Sequence, residues 1–226
     1  MILLIKLFLI IICAASPFWV AAQENDFGTW IEIGVEKQVT QKFRLEFEEE
    51  IRIFKNFGEF DRIATGVGGA YTFNKYLRAG AGYSWLYKHR VNLELWEHRH
   101  RFHFYLRGSY KIDRFTFTLR ERFQSTFVDE SIPGFGYNPR NYLRSRLQVA
   151  YNIRGSDITP FTSAEMYYQL NNPKGNQIDN MRYTLGTGWE ISNNFNIDTF
   201  LRLDQELNVK NPVSYWILGL SFNIGL

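Results

Sequence analysis

The chain has one cysteine, no apolar run long enough for a membrane helix, and no charge excess of either sign. Each absence excludes something. Cys13 lies in the first segment, where Lys6 supplies a basic start, Leu7 to Cys13 an apolar stretch, and Val20-Ala21-Ala22 a small-residue cleavage site before Gln23. That order is the pattern of a secretion signal. Ser16 and Pro17 break the run well short of the ~20 residues a spanning helix needs. Ile12 stands before Cys13 where a lipoprotein would carry a small residue. Residues 1–22 are therefore expected to be a signal peptide, and 23–226 a single domain. Removal of the leader leaves no thiol, so no internal disulfide can form. It also removes Lys6 from the 26 basic residues, leaving 25 against 23 acidic ones. A near balance argues against a nucleic-acid partner. There is no phosphate-binding glycine loop and no paired-cysteine metal site; Gly66-Val-Gly-Gly69 falls inside an alternating stretch. No cofactor is expected.

What the chain does have is alternation. Phe115, Phe117 and Leu119 take one parity and Thr116, Thr118 and Arg120 the other; Phe102, Phe104, Leu106, Tyr110 and Ile112 continue the pattern upstream. A period of two puts such residues on opposite faces of a strand. Eleven stretches behave this way, at about 28–38, 42–54, 61–73, 76–88, 97–112, 114–128, 141–153, 158–170, 180–191, 195–208 and 213–225. Their connections are alternately tight and long. The tight ones (39–41, 74–75, 113, 154–157, 192–194) use Asn, Asp, Gly, Ser and Lys, which suit hairpin turns.

Aromatic residues make up 17% of a chain whose mean hydropathy is −0.28. So many rings in so polar a protein fit a barrel with a charged lumen and an aromatic-girdled outside. The expectation is an all-β, up-and-down antiparallel transmembrane barrel in the outer membrane of a Gram-negative bacterium. Ten to twelve strands are expected, with ten or twelve favoured over eleven because single-chain bacterial barrels are even-numbered. With the tight turns in the periplasm, Tyr71, Phe73, Tyr110, Tyr151 and Trp189 girdle one rim. Trp85, Tyr87, Phe127, Tyr168, Tyr183 and Trp216 girdle the other. One residue breaks the pattern: Glu121 takes the outward parity, and a β-bulge near Arg120–Arg122 would turn it inward.

The opening Phe27-Gly-Thr-Trp-Ile-Glu-Ile-Gly-Val-Glu-Lys37, the charged run Glu46 to Arg52, Arg120-x-Arg122, and Pro160-Phe161 followed by Glu165 resemble a family of bacterial outer-membrane proteins of unassigned role, domain of unknown function 2490. The resemblance covers nearly the whole mature chain. It implies an outer-membrane barrel and brings no activity or catalytic residue with it. The last strand, with Trp216, Leu218, Leu220, Phe222, Ile224 and Leu226 on one face, resembles the segment by which the barrel-assembly machinery recognises its substrates. The expected surroundings are outer-membrane lipid and lipopolysaccharide.

The inward parity sorts charge. Arg99, Arg101, His103 and Arg107 fall on the fifth stretch, Arg120 and Arg122 on the sixth, Arg144 and Arg146 on the seventh, and Glu165 on the eighth. Acids gather at Glu32, Glu36, Glu46, Glu48 and Glu50, and again at Asp198, Asp204 and Glu206. Closure sets a basic wall against an acidic one. Either ion pairs fill the interior, or a narrow pore carries a transverse field that orients small zwitterionic or anionic solutes. Small residues at Ala64, Gly66, Gly68, Ala70, Gly80 and Gly82 leave room beside the third and fourth stretches.

Two other classes stay open. A lipid-modifying enzyme would need a nucleophile, a base and an acid in reach of one another. The register set by the Asp113–Arg114 turn places His98 opposite Asp129 and Ser125 diagonal to His100, all outward near the upper rim. His98-Arg-His100 could also hold a metal from one face, but no third ligand is evident, and a one-residue slip dissolves the cluster. A soluble lipocalin-like barrel would turn the apolar parity inward around a ligand cavity.

Overall fold

The structure is a computed structural model that describes residues 24–90, 93–128 and 138–226. The leader read at 1–22 and the rim candidate Asp129 lie outside the described residues. Eleven strands follow one another: β1 (Glu24–Gln38), β2 (Phe43–Phe54), β3 (Glu59–Thr72), β4 (Leu77–Arg90), β5 (Leu95–Ile112), β6 (Phe115–Val128), β7 (Arg140–Tyr151), β8 (Ile158–Gln169), β9 (Gln177–Ser192), β10 (Phe195–Glu206) and β11 (Val213–Gly225). Each pairs with its chain neighbour, and β1 pairs with β11 to close a barrel.

All eleven alternating stretches are strands, within the expected range of ten to twelve, although the count is odd and not even. An odd barrel has a geometric consequence. Neighbours run antiparallel, so the first and last strands of an odd set run the same way. The seam is accordingly parallel, with Glu24 opposite Val213 and Glu36 opposite Gly225, while the other ten pairings are antiparallel. Tight turns, Asp113–Arg114 among them, gather at one rim, and the longer links gather at the other.

The alternation turns the apolar parity outward and the charged parity inward, opposite to a lipocalin. Along β6, Phe115, Phe117, Leu119, Phe123 and Phe127 face out, and Thr118, Gln124 and Thr126 are buried in the lumen. Leu185 is 65% exposed and Phe104 62%, whereas Glu97 is 1% exposed and Glu165 2%. Hydrophobes outside and carboxylates inside exclude the arrangement with a greasy cavity. Outward rings pair near both rims. Tyr71 with Phe73 and Phe115 with Tyr151 lie at the short-turn end, and Tyr87 with Trp96 and Phe60 with Trp96 at the long-loop end.

The bulge anticipated near Arg120–Arg122 is absent: Leu106 faces Glu121 and Glu121 faces Ser145 with no register shift on either side. Glu121 stays outward and accepts a hydrogen bond from Ser145 Oγ at 2.6 Å. Glu49, which shares the outward parity on β2, accepts one from Thr65 Oγ1 at 2.7 Å. A hydroxyl from the next strand thus takes the place of a turn inward, covering part of each carboxylate's hydrogen-bonding need. Bulges occur elsewhere, at Arg52/Ile53, Tyr167/Tyr168 and Phe195/Asn196.

Candidate functional site

The lumen is built on a ladder of cross-strand neighbours, and one rung organises it. Arg78 on β4 faces Arg107 on β5, which faces Arg120 on β6, which faces Arg146 on β7. The same rung continues through Glu165 on β8, Arg182 on β9, Asp204 on β10 and Tyr215 on β11. Barrel strands tilt, so a rung perpendicular to them climbs along the barrel axis. This one starts one residue inside the short-turn end of β4, at Arg78, and finishes near the long-loop end of β11, at Tyr215.

Its upper half alternates in sign and is closely paired. Glu165 Oε1 lies 2.8 Å from Arg120 and 3.0 Å from Arg144, and Oε2 lies 3.9 Å from Arg182. Arg182 grips Asp204 with two bonds of 2.5 Å, a fork-to-carboxylate geometry. Trp30, 5% exposed, anchors this cluster: the guanidinium carbons of Arg52, Arg202 and Arg182 lie 3.3, 4.2 and 5.0 Å from its ring centroid. Arg144 stacks over Tyr167 at 4.3 Å. Around it, Arg52 pairs with Glu50, Arg62 and Lys88 with Asp61, and Arg99 and Arg90 with Glu97. Charges with partners on several sides can stay out of water at tolerable cost, whereas a lone one costs several kcal/mol. Side chains therefore fill the long-loop half of the lumen.

The short-turn half is different. A cavity of about 770 Å³ reaches the short-turn rim, where Asn193, Asn194 and Gly225 border it. Arg78, Arg107, Arg120 and Arg146 border it on one side, and Glu32, Glu36, Glu46 and Glu48 also line it. Glu46 accepts a hydrogen bond from the Tyr105 hydroxyl at 2.9 Å, and Glu36 pairs with Arg44. At the cavity floor the carboxylates of Glu32, Glu48 and Glu50 offer oxygens within 4.8 Å of one another, with Glu50 held by Arg52. The room expected beside β3 and β4 is partly taken: a Cβ added to Gly80 would run into the Tyr105 ring. Glycine there lets Tyr105 lie flat across the neighbouring strand and reach Glu46.

The anticipated lumen set all faces inward, but its members do different things. Glu165, Arg120, Arg144 and Asp204 form the paired cluster. Arg99 belongs to the Glu97 pair, and Glu206 accepts the Val213 amide at 3.1 Å, fastening the last long link. Arg101 and Arg122 each keep a buried Nε without a hydrogen-bond partner among the described residues. Trp30, Arg52, Arg182, Arg202 and Glu97 were not singled out from sequence, although Trp30 shares the parity of Glu32 and Glu36. The sorting of charge is also incomplete, since Arg52 and Arg202 stand among the acids of β2 and β10.

The rim candidates keep the expected register but not the expected chemistry. Ser125 stands opposite Phe102, one step diagonal to His100. The His100 ring is engaged from the other side, with Nδ1 and the Tyr83 hydroxyl hydrogen-bonded at 2.7 Å. His98 lies against Trp85 and Tyr87, with ring centroids 5.5 and 5.0 Å away. No hydrogen bond joins Ser125 to either histidine among the described residues. These histidines belong to an outward ring column, and the barrel has no evident catalytic site among its described residues.

A model of the family described as Protein of unknown function (DUF2490) matches residues 27–212. No curated protein matches the chain.

Proposed function

The chain belongs to that family, and from the geometry of its barrel we propose that it is an outer-membrane protein of a Gram-negative bacterium. In this reading it spans the membrane with a lumen locked by ion pairs at the outer end and open as a vestibule at the periplasmic end. The observation that carries the reading is the inversion of burial: Phe104 and Leu185 are left open on the outside while Glu97 and Glu165 are closed off within. In water such an exterior would aggregate, since apolar patches beyond a few hundred Å² are rare on monomers. In a bilayer it is the expected surface.

Strands of 12 to 18 residues exceed the ~9–11 that a tilted span requires. The ring pairs at both rims fit the two interfaces, and the tight turns fit the periplasmic side. An arginine-rich wall on β4–β7 then faces a more acidic one on β1, β2 and β10. Lipid and lipopolysaccharide contact the outside, and the assembly machinery engages β11 during insertion. The interior is reserved for charge, and the engagement of His98 and His100 by ring neighbours supports a role without catalysis.

The test uses the purified full chain. Extraction only with detergent, and migration on a gel that shifts on boiling, are expected of a membrane barrel. Folded protein should then give no steady single-channel current, because the paired cluster blocks the path. Recovery in the soluble fraction would overturn the membrane assignment, and a stable ohmic conductance would overturn the lock.

A further inference from the structure

The lower half of the arginine rung carries more. Arg78, Arg107, Arg120 and Arg146 stand directly opposite one another on four neighbouring strands. Strands lie only ~4.8 Å apart, and like charges set opposite one another destabilise a sheet. In the upper half Glu165 and Asp204 relieve that repulsion. In the lower half little does. Arg120 reaches up to Glu165, and Arg146 donates to the Gln148 side-chain oxygen at 2.5 Å. Arg78 and Arg107 have neither hydrogen bond nor ion pair among the described residues, and Arg122, one rung above, also lacks both.

Closure of the barrel does not call for guanidinium here. The next rung toward the turns fills equivalent positions with Ser109, Thr118, Gln148 and Ser163, which are neutral. A row of repelling forks held open to a cavity is suited to planar oxyanions, which guanidinium binds bidentately.

We propose that Arg78, Arg107 and Arg122 bind the phosphate or carboxylate of a small zwitterionic solute that enters from the short-turn rim. This rests on the reading of the lumen as locked above and open below. The ammonium end is selected by Glu32 and Glu48, which line the same cavity and make no ion pair among the described residues. A second anionic group would meet those carboxylates and be repelled; an amino group is attracted. A lipid headgroup carries the same chemistry, and Arg78 lies only one residue inside the short-turn end of β4, so the titration below includes an arm that separates the free solute from the headgroup.

The experiment is calorimetric titration of the detergent-solubilised full chain, shown folded by its boiling-dependent migration, with O-phosphoethanolamine, inorganic phosphate and ethanolamine. Phosphoethanolamine should bind tighter than phosphate, and phosphate tighter than ethanolamine. The double variant R78Q/R107Q should weaken phosphoethanolamine by at least about tenfold, because charge-assisted bonds to the anion are lost. Its urea midpoint should hold or rise, since repulsion between the two arginines is removed; a purely structural pair would instead lower it. E32Q/E48Q should abolish the advantage of phosphoethanolamine over phosphate. Folded protein that takes up no phosphoethanolamine at millimolar concentration, or R78Q/R107Q that binds it unchanged, would overturn the proposal. So would competition by micelles containing phosphatidylethanolamine without any binding of the free compound, which would make the headgroup the ligand. Conductance is read separately, so a barrel that conducts yet binds, or is silent yet does not, tells the two failures apart.

Discussion

Replacing Glu165 by Gln tests the ionic lock where its consequences are largest. One carboxylate there serves Arg120 at 2.8 Å, Arg144 at 3.0 Å and Arg182 at 3.9 Å, and is 2% exposed. A guanidinium–carboxylate attraction with charges ~4 Å apart is worth on the order of 4 kcal/mol at an effective dielectric of about 20. Three such terms are offset by the several kcal/mol that burying the carboxylate itself costs. Arg182 keeps Asp204, so the uncompensated charges after substitution are chiefly Arg120 and Arg144. The net loss should therefore sit in the range of roughly 3–5 kcal/mol found when one partner of a buried pair is removed. Urea unfolding of the barrel in lipid vesicles, followed by tryptophan fluorescence, measures it. The second variant E165Q/R144M should recover part of the loss, because it removes a stranded charge together with its former partner. A loss under about 1 kcal/mol, with no recovery in the double variant, would mean that water already screens the cluster as it screens surface pairs. The lumen would then not be locked.

Other outcomes follow from single features. E121L should stabilise the barrel in phosphatidylcholine vesicles by about 1 kcal/mol, since an outward carboxylate in mid-strand is costly in hydrocarbon; S145A should cost about the same by removing its hydroxyl donor. The reverse signs in urea titration would indicate that this face meets water or a polar partner. G219A should lower the urea midpoint, at a cost of roughly 1–3 kcal/mol, because its Cβ would overlap the Phe200 ring. The additional change Phe200→Leu should restore most of the loss, and a G219A barrel of unchanged midpoint would refute the packing. Alanine at Ser125 and His100 should leave lipid A and phospholipid profiles of the host unchanged by mass spectrometry, and any altered acylation would reopen the enzymatic alternative.

Strand positions were legible because a period of two is written locally. Phe115 to Phe127 declares its faces whatever the rest of the chain does. Parity was equally legible, and with it the inward direction of Arg107, Glu165 and Asp204. The partners were not. Which inward residues meet depends on how far each strand is staggered against the next, and that stagger accumulates around the whole circle. Arg120 finds Glu165 two strands away for this reason, and Trp30 collects Arg52 from β2 but also Arg202 from β10 and Arg182 from β9. The odd strand number ran against a rule about barrels in general and not against the residues, which marked eleven stretches. Glu121 is a different case: its outward parity alone calls for a bulge, whereas the serine opposite on β7 supplies a donor that only the register reveals.

The same-direction pairing of β1 with β11 has a topographic consequence. Asp26 at the head of the first strand and Gly225 at the tail of the last sit at opposite mouths of the cylinder. Across an intact bilayer, a membrane-impermeant reagent offered from one side alone would modify a cysteine placed at only one of those two positions.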